Sequence, residues 1–174
     1  MLGKERRRSA WSGHDVADLQ PLPFNGNPTA VQLIIGKTSA CARFSSATVR
    51  CWGSNLSGEL GVGHTETIGD EPGEVAGLQD LPFATALPVT HCVSSLRGYC
   101  CLFGDNVEMR CWGNNAYGLA GAQMGGHIGN EPDEIVSLAP IAFSGTERPV
   151  QIVTGQGTTT CALFQHGRVR CWGE

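Results

Sequence analysis

The tetrapeptide Arg-Cys-Trp-Gly occurs three times, at Arg50–Gly53, Arg110–Gly113 and Arg170–Gly173, so that each copy starts sixty residues after the last. The period is wider than the tetrapeptide. Residues 14–24 (HDVADLQPLPF), 73–83 (GEVAGLQDLPF) and 133–143 (DEIVSLAPIAF) are versions of one segment. So are IGDEPGE from Ile68 and IGNEPDE from Ile128, and NLSGELG from Asn55 and NAYGLAG from Asn115. Self-similarity at a fixed period of this size marks a repeat architecture, in which each unit buries its apolar surface only by stacking on its neighbours. The chain therefore divides into a basic segment outside the repeat (1–13), units at 14–73 and 74–133, and a partial unit at 134–174.

Within each unit the apolar runs are short. AVQLII, LPVTHCV and RPVQIV read as a first strand, ACARF, CCLF and TCALF as a second, and TVRCWG, EMRCWG and RVRCWG as a third. A fourth strand is expected around EVAGLQ. No segment has a helical 3.6-residue period, and 24 Gly with 9 Pro supply the turns. The reading is all-β: about three four-stranded propeller blades of sixty residues, an incomplete ring, since a closed propeller needs at least about four blades.

The 8 cysteines follow the same period, with Cys41/Cys51, Cys101/Cys111 and Cys161/Cys171 each ten apart. A hairpin whose loop is Gln165-His166-Gly167 sets Leu163 opposite Val169 and Cys161 opposite Cys171, at bridging distance. The same count opposes Cys41 and Cys51. In the second unit Cys100 and Cys101 compete for Cys111. Neighbouring strand residues face opposite ways, so one of them is left to reach back to Cys92. The competing reading is eight small buried thiols that merely pack, and spacing alone does not choose among 105 connectivities. Paired cysteines imply an oxidising setting, extracellular or at the cell surface. Zinc is disfavoured, because no Cys-x-x-Cys occurs and His14, His64, His91, His127 and His166 are scattered.

At this point RCWGSNLSGELGVGH, followed later by VQIVTGQGTTTCALFQHGRVRCWG, resembles the repeat of the regulator-of-chromosome-condensation family in its cysteine-bearing variety. The resemblance runs from His14 to Glu174. Residues 1–13 depart from it, with only Gly3 and Gly13 in step. It implies one blade per repeat, usually seven blades to a ring, and loop faces that hold protein partners. The 174 residues are accordingly expected to be a fragment or one arc of a ring, completed by missing blades or by self-assembly.

The remaining candidates read as structure. Trp52, Trp112 and Trp172, each before Gly53, Gly113 or Gly173, suit packing between blades better than a ligand platform. Gly58, Gly61, Gly118 and Gly121 match no phosphate-loop spacing and suit turns. The acidic loops (Asp70, Glu71 and Glu74; Glu131, Asp133 and Glu134) invite calcium or acid/base chemistry, but their spacing is not that of an EF-hand and they suit exposed turns. No nucleophile-elbow, zinc-protease or Cys/His motif appears, so no catalytic residue and no cofactor is expected. A net charge of −4, with a single basic run at Lys4–Arg8, argues against nucleic acid, and no stretch is long and apolar enough to span a membrane. The expected function is a non-catalytic scaffold for a protein partner. The alternative is a guanine-nucleotide exchange regulator of a small GTPase, as in the family's namesake.

Overall fold

The computed structural model describes residues 19–121, 125–143, 147–155 and 157–174. The basic segment 1–13, with His14 and the start of the first unit, lies outside the described residues. Three antiparallel meanders follow one another. The first joins β1 (Ala30–Ile35), β2 (Ser39–Phe44) and β3 (Val49–Gly53). The second joins β4 (Val89–Ser95), β5 (Gly98–Phe103), β6 (Glu108–Asn114) and the two-residue β7 (His127–Ile128). The third joins β8 (Pro149–Thr154), β9 (Thr160–Phe164) and β10 (Val169–Trp172). These are three consecutive blades of an open propeller arc, and they are called blades 1 to 3 below.

Hairpin register follows the alternation of side chains. Cys41 pairs with Cys51, Cys161 with Cys171 and Leu163 with Val169, as the ten-residue spacing requires. The turn between the second and third strands holds its tight bend with a left-handed residue at the same place in every blade: Ala47 (φ 62°), Asn106 (φ 58°) and His166 (φ 71°). At the far end of the third strand, Gly53 and Gly113 have φ of 104° and 103°. A Cβ on Gly113 would fall 2.5 Å from the Arg97 carbonyl oxygen, so only glycine fits.

The expected fourth strand at EVAGLQ is not there. Glu74–Gly77 forms a single helical turn, α1, and Glu134–Ser137 forms its counterpart, α2. The cause is local. A left-handed residue, Gly73 (φ 91°) or Asp133 (φ 64°), turns the chain just before each helix. The Glu74 carboxylate then accepts the Gly69 and Glu71 N–H groups at 2.7 and 3.0 Å, and Glu134 accepts those of Gly129 and Glu131 at 2.8 and 3.0 Å. The outer edge is formed earlier in the repeat, by β7 beside β6 in blade 2 and by one bridge from Gly53 to Ile68 in blade 1.

The core lies between the sheets. One apolar cluster joins blade 1 to blade 2 through Ile34, Val49, Leu60, Tyr99, Phe103, Trp112 and Ile135. A second joins blade 2 to blade 3 through Leu102, Met109, Leu119, Ile152, Ala162 and Phe164. In two of the blades three rings meet edge to face: Phe24 with Phe44 and Trp52 in blade 1, and Phe83 with Phe103 and Trp112 in blade 2. In blade 3 Phe143 meets Phe164 edge to face and lies tilted against Trp172.

Candidate interaction surfaces

Most of the recurring side chains are used within the arc. The Trp112 indole N–H donates to the Glu59 carbonyl oxygen at 3.0 Å, and that of Trp172 to Leu119 at 2.9 Å. Each acceptor belongs to the loop of the preceding repeat, so the two tryptophans bolt one blade to the one before it. Buried Asn55 organises that loop. Its side-chain oxygen accepts the Leu60 N–H at 2.9 Å and its amide donates to the His64 carbonyl at 2.6 Å. Asn115 accepts from Ala120 at 2.9 Å in the next repeat. The inner strands are joined by Gln32, whose amide both donates to the Cys92 carbonyl (2.7 Å) and accepts the Cys92 N–H (3.1 Å). Ser94 donates to the Ile35 carbonyl at 2.5 Å, and Thr154 donates to the Ser94 carbonyl. The asparagines and the Phe24/Phe83/Phe143 series escaped sequence reasoning, although their signal was in the segments that repeat.

All eight cysteines are bonded: Cys41–Cys51, Cys92–Cys101, Cys100–Cys111 and Cys161–Cys171. The ten-residue pairing Cys101/Cys111 is not used. Cys100 lies across from Cys111 and Cys101 across from Cys92, because the register of blade 2 is displaced by one residue along β5. The two bonds consequently project from opposite faces of one sheet, Cys92–Cys101 into the junction with blade 1 and Cys100–Cys111 into that with blade 3.

The acidic loops divide by position. Asp70, Glu71, Glu131 and Asp133 are exposed, as expected of solvated turns, whereas Glu74 and Glu134 are half-buried staples. The two backbone hydrogen bonds hold the Glu74 carboxyl below its ordinary value of 4.5. Among the described residues, no set of three or more His, Cys, Asp or Glu side chains is placed to hold a metal ion.

Two of the concave surfaces among the described residues are roomy enough to consider for a partner. The larger, about 670 Å³, is an outer cleft between consecutive repeats. Its floor is apolar (Ile68, Leu78, Leu81, Ile135), its rim carries Glu66, Asp80, Glu131 and Asp133, and no Lys or Arg lines it. Asp80 is engaged, its carboxylate 2.7 Å from Arg50 Nε. The smaller, about 430 Å³, sits among the first hairpin turns of the three blades, lined by Ile35, Lys37, Ser94, Leu96 and Thr154 and by no acidic residue. Volumes of this size suit a bound side chain or short segment.

The fold and this inter-blade bonding define the class, a β-propeller present as an arc rather than a ring. Solved structures narrow it. Human WBSCR16 is 20% identical with a TM-score of 0.64, covering 84% of this chain and 33% of its own. Yeast RCC1 (Prp20) bound to Kap60 is 20% identical with a TM-score of 0.59, covering 83% and 32%. Prp20p from Saccharomyces cerevisiae, characterised for its binding to Gsp1p and histones, is 18% identical with a TM-score of 0.57, covering 83% and 32%. The blades thus have the fold of an RCC1-type propeller, and the chain spans about a third of the length of these proteins. No family model matches the sequence.

Proposed function

We propose that this chain is a non-catalytic protein-interaction scaffold: an arc of disulfide-bearing RCC1-type blades whose ring is completed by further blades, working in an oxidising setting outside the cell or at its surface. The outer cleft carries this reading. At about 670 Å³ it is built jointly by two repeats, and its apolar floor under an acidic rim suits a polypeptide with aliphatic and basic side chains. Of the acidic-loop carboxylates, Glu74 and Glu134 are taken up by backbone N–H groups and hold the loops in shape. Yeast RCC1 (Prp20), whose propeller fold these blades share, has been solved with Kap60 bound.

The test pairs a thiol count with affinity capture from the source. Protein isolated without reductant is expected to show no free thiol. A captured partner is expected to be lost from the double variant Glu66→Lys with Asp133→Lys. Eight free thiols would move the protein to a reducing compartment, where the exchange-regulator alternative belongs. A partner retained by the double variant would rule out the cleft.

A further inference from the structure

The hollow among the first hairpin turns has a neighbour. A recess of about 260 Å³ adjoins it, and the two share Lys37, Ser95 and Leu96. The further walls are Arg97, Asn114, Tyr117 and Leu119 of the second repeat and Thr158 of the third, so each wall of this recess stands where two described blades meet. No Asp or Glu lines either part. In a chain of net charge −4, this trough has the opposite sign to the whole.

Its two cations are uncommitted. Arg43, Arg50, Arg110, Arg168 and Arg170 are bonded to neighbouring side chains, whereas the Lys37 and Arg97 heads are exposed and have no hydrogen bond or ion pair among the described residues. Asn114 accepts the Ala116 N–H with its side-chain oxygen at 2.9 Å, which leaves its amide nitrogen to donate. Tyr117, 45% exposed, adds a phenol, and Leu96 and Leu119 add apolar wall. The fold does not demand the arginine or the tyrosine. The carbonyl oxygens of Thr38, Arg97 and Thr158 lie against the glycines that end the third strands, so Arg97 stands where the other two blades have threonine. Aligning NLSGELG with NAYGLAG sets Tyr117 against Ser57 and Leu119 against Glu59, a buried carboxylate that accepts the Ser57 N–H at 2.6 Å. The second repeat thus lacks the acid that the first has at this place, and carries a guanidinium and a phenol instead.

We propose that this trough binds an acidic segment of a protein partner, with a glutamate or aspartate carboxylate seated between Lys37 and Arg97 and an adjoining apolar side chain against Leu96 and Tyr117. A guanidinium offers a carboxylate a planar fork of donors, and the apolar wall beside it keeps water from competing. Two cations suit a polypeptide with a few carboxylates. A polyanion such as a sulfated glycan takes a longer basic track, and the remaining described cation, Arg148, lies beside the Gln165 turn at the opposite end of the strands. No residue lines both the trough and the outer cleft, so the arc offers separate places to segments of opposite charge.

The experiment is fluorescence anisotropy of the unreduced chain with a short fluorescein-labelled peptide that alternates glutamate and leucine. The peptide is expected to bind, with an affinity that falls as salt rises. Arg97→Thr, which installs the residue of the other two blades, is expected to keep the far-ultraviolet circular dichroism and to weaken binding about tenfold. Lys37→Gln is expected to weaken it about threefold. The outer-cleft double variant, Glu66→Lys with Asp133→Lys, is expected to leave it unchanged, so the trough and the cleft fail independently. Absence of binding, or binding that Arg97→Thr leaves intact, overturns the proposal. Binding of a heparin fragment that depends on Arg97, with none of the peptide, overturns it too and assigns the trough to a sulfated glycan.

Discussion

Blades 2 and 3 carry the same tetrapeptide at the end of the same hairpin, yet they meet solvent in opposite ways. In blade 2 every residue of β5 is buried and Trp112 is 1% exposed. In blade 3 Val169, Arg170 and Cys171 are all exposed and Trp172 is only half-buried. The local sequence is nearly unchanged, so the motif does not bury itself. Burial comes from a neighbour on each side, which blade 2 has and blade 3 has on one side. In a stack of sheets, stability belongs to the junctions.

The largest test of this contrast is tryptophan deletion. Trp112→Ala is expected to cost about 3–5 kcal/mol, and Trp172→Ala about half as much or less. Urea unfolding of the two variants reads the difference, and equal losses would break the comparison. Disulfides sharpen it next. Each bond closes a similar loop and contributes about 3 kcal/mol in the chain-entropy model, so loop length does not separate them. Access does. Graded reduction, alkylation and peptide mass mapping should find Cys161–Cys171 opening first and Cys92–Cys101 among the last.

A smaller effect concerns Tyr99, whose phenol donates to or accepts from Ser39 Oγ at 2.7 Å. Burial pushes the phenol from 10.0 up to about 12. A raised folded value means that the contribution is fully present below pH 10 and is lost as pH rises toward 12, by about 2–3 kcal/mol in all. Tyr99→Phe should flatten that alkaline limb in pH-dependent melting. The smallest change is at its counterpart in blade 3. Thr160 is fully buried, and its hydroxyl has no partner among the described residues. Thr160→Val keeps the shape and removes the orphan, so it should raise the urea midpoint by an equivalent of about 1 kcal/mol. A loss of stability there would show that the hydroxyl is satisfied after all.

The hairpins were legible because their information is short-range. The sequence repeats, strand side chains alternate, and a ten-residue spacing about a three-residue loop leaves one register that opposes Cys161 and Cys171. The one-residue displacement in blade 2 was legible only as a choice between Cys100 and Cys101, since either satisfies alternation until β4 is placed. The fourth strand was misplaced for a different reason. EVAGLQ is apolar enough for a strand, but two N–H groups, from Gly69 and Glu71, converge on Glu74 and wind the chain into a turn. That capture depends on where a preceding glycine bends, which no periodicity reports. The acidic residues could be read as exposed, but not that Glu74 and Glu134 would turn inward. The outer cleft was not legible at all, because its two walls lie a repeat apart and meet only when the blades stack.

The paired bonds of β5 bear on how the arc carries tension. A pull on the two ends of the chain would unzip hairpins and pay out slack wherever the backbone is the only connection. At blade 2 the force path crosses from Cys92 to Cys101, steps back one residue to Cys100, and crosses again to Cys111. The intervening hairpins lie off that path and cannot lengthen. Blade 2 would act as an inextensible link at the middle of the arc, between two blades that each hold a single such tether.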